Sequence, residues 1–455
     1  MGGIFSLNSS SDGNNQNYEG TTSGACKRQR VTGCFDHNTR LIPFLPNELS
    51  LQILARVPRI YYLQLKLVSR TWKEALSTSE IYDLRKEFKT TEDWLFILSR
   101  VDENLLWYAL DPISQRWQKL PPMPHDPTQD ESRRGLAILQ MWNSLGSRVK
   151  IAEAIRGWLG GGDPLDKLPF CGCSVAAVNG CLYVVGGLSR TSALKCVRRY
   201  DPILNTWNEV TPMLTGRAYS KTGVLNNKLY VVGGVSRYRG GLTPLQCAEV
   251  FDPETDQWSE IPSMPFAKAQ IMPTAFLADL LKPIATGLTT YNGKLYVPQS
   301  LYCWPFFVDA GGEIYDPESN SWTEMPVGMG EGWPAKQAGT KLSVVVDDEL
   351  YALDLSGSLD NAKIKVYDQR DDSWKVISAE VPMTHDQTDA ESPYLLAGFH
   401  GKLHVIIKDA NSDIAVLQAS TESSVASSSS EAIWKVIALR RAGPAELVSC
   451  QILSI

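Results

Sequence analysis

No apolar run in this 455-residue chain approaches the ~20 residues needed to cross a bilayer, and the N-terminus lacks the apolar core of a secretory leader. Neither sign of charge dominates: 44 basic residues face 50 acidic ones, which gives a polyelectrolyte such as nucleic acid no reason to bind. The nine cysteines are odd in number and scattered without the paired spacing of a disulfide framework, which favours a reducing compartment. Gly-rich phosphate loops, GxSxG elbows and HExxH motifs are all missing. Histidine is scarce, with His37, His125, His385, His400 and His404 the whole supply. The pair His400 and His404 falls along a hairpin, where four extended residues span ~13 Å, too far to share a metal ion. Cys171 and Cys173 share one face of an expected strand but have no second pair, so they are expected to be packing thiols. These shortages predict an intracellular protein of the cytoplasm or nucleus, with no cofactor, no metal and no nucleic-acid partner.

Tryptophan, in contrast, is patterned. Trp117, Trp207, Trp258, Trp322, Trp374 and Trp434 recur down the chain, and the first five follow Asp111, Asp201, Asp252, Asp316 and Asp368 by six residues. Such an internal repeat decides the fold before any single residue does. Four of the aspartates lead into proline, as in YDPILNTW (200–207), FDPETDQW (251–258) and YDPESNSW (315–322). Proline presets the turn and the aspartate bonds the backbone ahead of it.

Upstream of these turns lie hairpins: AAVNGCLYVVGG (176–187), GVLNNKLYVVGG (223–234), TTYNGKLYVPQS (289–300), SVVVDDELYALD (343–354) and AGFHGKLHVIIK (397–408). Asn-Gly between short β-branched or aromatic runs is a strong hairpin signal. Each unit therefore reads strand a, tight turn, strand b, longer loop, strand c, Asp-Pro turn, strand d. Four antiparallel strands repeating every ~50 residues make a propeller blade. The diglycines Gly186-Gly187 and Gly233-Gly234 let a neighbouring backbone approach a strand end. Gln299-Ser300, Asp354-Leu355 and Ile407-Lys408 replace them in the later, degenerate units.

Six blades fit residues 92–455, with the surplus largely in an insert at 125–168. The first unit lacks a strand a, since 93–100, 104–112 and 116–124 read as b, c and d. The missing strand is expected to be AELVSCQILSI (445–455), closing the ring and removing an open edge.

Residues 41–88 follow another grammar. In LPNELSLQILARVP, Pro46 starts a helix, Leu49, Ile53 and Val57 supply apolar positions, and Pro58 stops it. In YYLQLKLVSRTWKEALS, the spacing of Leu65, Val68, Trp72 and Leu76 predicts one helical face. Three short helices make a core that needs a neighbour.

The diglycine-aromatic-Trp pattern resembles the kelch repeat, and LP, ILARVP and LKLVSRTW resemble an F-box. An F-box followed by kelch repeats resembles the plant F-box/kelch family, and the two likenesses span 41–455. The resemblance implies an all-α F-box followed by an all-β six-bladed propeller. It further implies docking on a Skp-family adaptor, and through it a cullin ubiquitin ligase, while the propeller binds an unknown protein to be ubiquitinated. By motif, Leu45, Pro46, Ile53, Leu54, Val57, Pro58, Val68 and Trp72 become the adaptor contacts or their support, although the same residues also suit a plain three-helix core. A scaffold without ligase function and, more remotely, a kelch-type enzyme are the alternatives. Kelch proteins that bind iron in plant glucosinolate breakdown carry a Glu-x3-Asp-x3-His triad, and no histidine here has Glu eight residues upstream.

With strands alternating in direction, a-b and c-d connections emerge on one face and the longer b-c and d-a connections on the other. Function favours such long loops on a rigid scaffold. Arg190, Arg237, Tyr238, Arg239, Trp304, Phe306, Phe307 and Trp333 carry interface chemistry there and are the expected substrate-binding residues, with local packing the competing reading for Trp304 and Phe307. The insert holds amphipathic sequence at 136–160, and a Ser-rich stretch at 420–431 interrupts the last blade. Residues 1–40, rich in Asn, Ser and Gly, are expected to be a disordered tail. Met1-Gly2 with Ser6 matches a myristoylation pattern, so membrane contact is expected only if Gly2 is lipidated. Residues 27–30 form a thin basic cluster.

Overall fold

The computed structural model describes residues 40–101, 104–124, 172–189, 192–238, 241–266, 282–303, 306–333, 342–354, 362–381, 394–409, 411, 413–419, 434–443 and 445–455. Nearly all of the tail, the whole insert and the Ser-rich stretch lie outside these residues.

Among the described residues, six antiparallel blade sheets and one separate two-stranded hairpin follow a short helical unit. In the first, Asp93–Val101, Asn104–Asp111 and Arg116–Lys119 are joined by Glu446–Ser454, which pairs with Asp93–Val101 from Asp93↔Ser454 to Arg100↔Glu446. The expected closing strand is thus in place. Ring closure is visible at the innermost strands. Glu446–Ser454 touches Ser174–Val178, which touches Lys221–Leu225. The circuit continues through Thr289–Tyr291, Ser343–Val346 and Leu395–Phe399 back to the start. Side chains tie this circle together: Thr222 Oγ1 donates to Val175 O (2.8 Å), Thr290 Oγ1 to Val224 O (3.1 Å) and Gln451 Nε2 to Val175 O (2.8 Å).

The hairpin turns fold as their sequences require. All five predicted a-b turns place two successive residues at positive φ: Asn179-Gly180, Asn226-Asn227, Asn292-Gly293, Asp347-Asp348 and His400-Gly401. That is the primed turn whose twist matches the strands it joins. In the c-d turns each repeat aspartate accepts from the backbone two residues on, as Asp201 Oδ1 does from Ile203 N (2.7 Å) and Asp316 Oδ1 from Glu318 N (2.9 Å). The repeat tryptophan then reaches across a seam. The indole N–H groups of Trp117, Trp207, Trp258, Trp322 and Trp374 donate to Leu439, Pro121, Thr211, Pro262 and Met329 carbonyls, each just past or at the end of the preceding blade's outer strand.

Apolar clusters lie in these seams, such as Trp94, Trp107, Leu182 and Trp207 between the first and second blades. At the second-third seam the Arg217 and Glu249 side chains form a fully buried ion pair. Arg217 also donates to the carbonyls of Gly233 (3.0 Å) and Cys247 (2.9 Å), and Glu249 accepts from Leu214 N and Thr215 N. The diglycines serve the same crossing: a Cβ on Gly186 would stand 2.2 Å from Arg217 O, and one on Gly234 2.5 Å from Ala218 O.

Three sequence expectations change. The stretch from Tyr62 to Leu76 is two helices, α2 (Tyr62–Leu65) and α3 (Arg70–Ala75), because Ser69 leaves the helical conformation and its hydroxyl accepts from Trp72 N at 3.1 Å. Val68 therefore leaves the buried face. The third-blade b-c segment, expected to be irregular, contains a hairpin of Val235–Tyr238 and Gly241–Pro244. In the fourth blade the strands Lys294–Cys303 and Phe306–Asp316 continue past the blade as a paired ladder where a loop was expected.

Candidate functional site

The helical unit adds α1 (Asn47–Ala55), a 3-10 turn (Arg59–Tyr61) and α4 (Ser79–Glu87) to α2 and α3. Its core is Leu54, Ala55, Tyr62, Leu76, Ile81 and Tyr82. The end of α1 is finished by a buried arginine: Arg85 Nη1 donates to Ala55 O (3.0 Å) and Val57 O (2.9 Å), and Arg85 Nη2 pairs with Glu92 (2.8 Å). Ordinary helix-capping rules give no hint of Arg85, because it is thirty residues from the carbonyls it satisfies.

This unit is seated on the propeller. Arg59, itself buried, bonds Tyr82 Oη and the carbonyl of Pro202 in the second blade's c-d turn. Lys66 Nζ donates to Ile203 O (2.8 Å), and Ile203 packs into the helical core. Burial, with the Arg59 charge beside it, pulls the Lys66 ammonium down to about 8. Glu92 accepts from Arg59 N (3.1 Å) and Trp94 Nε1 (3.0 Å), and its backbone exchanges two hydrogen bonds with Ile455. The contacts fall on c-d turns, so the helices occupy the short-turn face, and the strand ends from which the b-c connections leave lie on the other.

Docking leaves much of the helical unit's apolar surface uncovered. Leu49, Ile53, Leu63, Leu67, Val68 and Phe44 are 42–91% exposed. Of the residues named from sequence, Pro46, Ile53, Pro58 and Val68 are exposed and Leu45 is half-buried. Leu54 is in the core, and Val57 and Trp72 pack against it, Trp72 Nε1 donating to Leu41 O at 2.6 Å. Phe44, Leu63 and Leu67 are surface residues the sequence reading did not single out, and Leu49, read there only as an apolar helix position, is exposed as well. Their signal was the surplus of apolar residues over what a core this small can hold.

On the long-loop face, Arg237 lies in the additional hairpin, paired with Leu242, and Tyr238 ends that strand. Phe306 and Phe307 begin a strand opposite Cys303 and Tyr302. Trp333 is buried, its ring 5.4 Å from Trp374 in a T-shaped contact. Arg190, Arg239 and Trp304 lie outside the described residues, as does Gly2. His404 is buried and stacked on Phe399 at 3.7 Å, and desolvation pulls it down to about 4. Burial pushes the Cys181 thiol up to about 11, away from thiolate chemistry. Among the described residues no three metal-ligating side chains converge, and no helix is long and apolar enough to cross a membrane.

Family comparison matches both parts. The F-box family model covers residues 42–84, and that of the FKB95 kelch-repeats domain covers 163–448. An F-box/kelch-repeat protein of Arabidopsis thaliana, At1g22040, is 58% identical over the whole of both chains. This chain belongs to the F-box/kelch-repeat family. Another Arabidopsis F-box/kelch-repeat protein, At1g30090, is 30% identical over 71% of this chain and 67% of its own, and the Arabidopsis F-box protein AFR 25% over 70% and 69%. Among solved structures YjhT aligns over 71% of this chain and 94% of its own, at 14% identity and a TM-score of 0.39, too distant to bear on the reading. The F-box of this chain thus rests on the short-turn face of a six-bladed kelch propeller, its apolar residues turned to solvent. An F-box implies binding of a Skp-type adaptor.

Proposed function

We propose that this F-box/kelch-repeat protein is the substrate-recognition subunit of a cullin ubiquitin ligase. The F-box docks on a Skp-family adaptor through Pro46, Ile53, Val68 and their exposed neighbours Leu49, Leu63 and Leu67. The kelch propeller holds the protein to be modified on its long-loop face. The observation that carries this reading is the uncovered apolar surface of the F-box after it has docked on the propeller, a kind of surface that marks a partner site. Arg190, Arg237, Tyr238, Arg239, Trp304, Phe306 and Phe307 are the proposed substrate contacts, while buried Trp333 supports its seam.

No side chain of this chain needs to react. Holding the target beside the conjugating machinery raises the effective concentration of its lysines to roughly mM, and the covalent chemistry belongs to the partners. Adaptor copurification with the intact chain is the test. Ile53→Asp combined with Val68→Asp is expected to abolish it without lowering the melting temperature, because both positions are solvent-exposed. Undiminished copurification, or none from the unaltered chain, would favour a scaffold outside the ligase.

A further inference from the structure

At three seams of the propeller an aromatic of strand b closes onto an aromatic of strand c in the next blade. Ring centroids are 6.3 Å apart for Phe96 and Tyr200, 5.7 Å for Tyr183 and Phe251, and 6.0 Å for Tyr230 and Tyr315. The fourth seam departs from this rule. Its equivalent residues, Tyr296 and Tyr367, make no such ring contact. Tyr296 instead meets Tyr291 of its own blade at 5.6 Å, and all three tyrosines line a cavity of about 270 Å³ with Met329, Gln369 and Asp372.

The cause lies in the connection after the fourth blade. Here the chain forms a short helix, α5 (Val327–Gly332), whereas the described residues just past the outer strands of the second and third blades form none. Gly328 seats α5 on the next blade, since a Cβ there would stand 1.6 Å from Asp372 O. Asp372 is held by Gly328 N (2.8 Å), Met329 N (2.9 Å) and the hydroxyl of Tyr367 (2.8 Å). Helix and carboxylate together prop the seam open.

The lining has a definite chemistry. Among the described residues it holds three phenol rings, a thioether and a carboxylate, and no lysine or arginine. A phenol that donates to a carboxylate has a more electron-rich ring, and such rings attract cations over their faces. An uncharged guest would gain only apolar burial, whereas an alkylammonium gains that together with attraction to the rings. We propose that this cleft is an aromatic cage for an alkylammonium group, of the kind carried by a lysine or methylated lysine side chain of a protein partner.

The test uses the full-length chain with ¹³C-methyl methionine, titrated with choline and with its uncharged carbon isostere, 3,3-dimethyl-1-butanol. Choline is expected to shift the Met329 methyl resonance, assigned by its loss in Met329→Leu, and to bind about tenfold more tightly than the alcohol. Tyr291→Ala should remove the choline response and Tyr291→Phe should keep it, with the other methionine methyls reporting the fold. Equal affinity for the two probes, or a choline response that leaves Met329 unmoved, would overturn the proposal. The probe comparison needs only the unaltered chain, so it decides even if Tyr291→Ala fails to fold.

Discussion

Five indole N–H groups reach across seams to a neighbour's carbonyl, while that of Trp434, which lacks an aspartate six residues before it, has no hydrogen-bond partner among the described residues. Phenylalanine keeps most of the apolar area and deletes the donor. Trp258→Phe is therefore expected to destabilise by about 1–2 kcal/mol more than Trp434→Phe in urea denaturation, the lost bond to Thr211 O plus an orphaned carbonyl. Equal costs would show that the repeat serves packing alone. His404 makes a second residue-scale prediction. Its ring is desolvated in the folded chain, with Nδ1 against Lys402 O, and holds a proton only below about 4, whereas the unfolded chain takes one up near the usual 6.5. The unfolded state thus binds more protons between those values. Stability should fall as pH drops from about 6.5 to about 4, by up to ~3 kcal/mol, and level off below. His404→Gln should flatten that part of the stability-pH curve relative to the unaltered chain, and parallel curves would refute the assignment.

The break between α2 and α3 is the clearest lesson at the scale of elements. Spacing alone joined Leu65, Val68, Trp72 and Leu76 into one face, yet Ser69 turns the chain and starts a new helix. Ser69→Ala is expected to cost about 1 kcal/mol by removing the cap on Trp72 N, read from the helical signal during denaturation. In an unbroken helix the same change would be neutral or slightly favourable, because alanine is the better helix former. The strands were more legible. Period-two alternation, Asn-Gly pairs and Asp-Pro turns each specify local geometry, so every blade and even the distant closing strand could be read. The additional hairpin around Arg237 and the long fourth-blade ladder escaped because Pro298, Gly311 and Gly312 read as loop punctuation although the ladder runs through them with a register shift.

For the whole molecule, the seating of the F-box could not be read from sequence. It depends on Arg59 and Lys66, charged residues of a kind any surface helix carries, whose partners lie in a turn more than a hundred residues away. Which motif residues reach the surface was half legible: the motif named Pro46, Ile53 and Val68, which are exposed, together with Leu54, which is buried. Motif position alone cannot separate core from contact, because the pattern fixes both. Docked in this way, the F-box holds its apolar surface at the short-turn side of the propeller, opposite the strand ends that carry the b-c connections. An adaptor and a captured protein could then bind together without collision.

Hydrogen exchange of the full-length chain, alone and with a purified Skp-family adaptor, tests that arrangement most directly. Slowed exchange within residues 44–76, with unchanged exchange in the loops around Val235–Tyr238 and Lys294–Cys303, is the predicted result. Protection confined to those loops, or no complex at all, would contradict it.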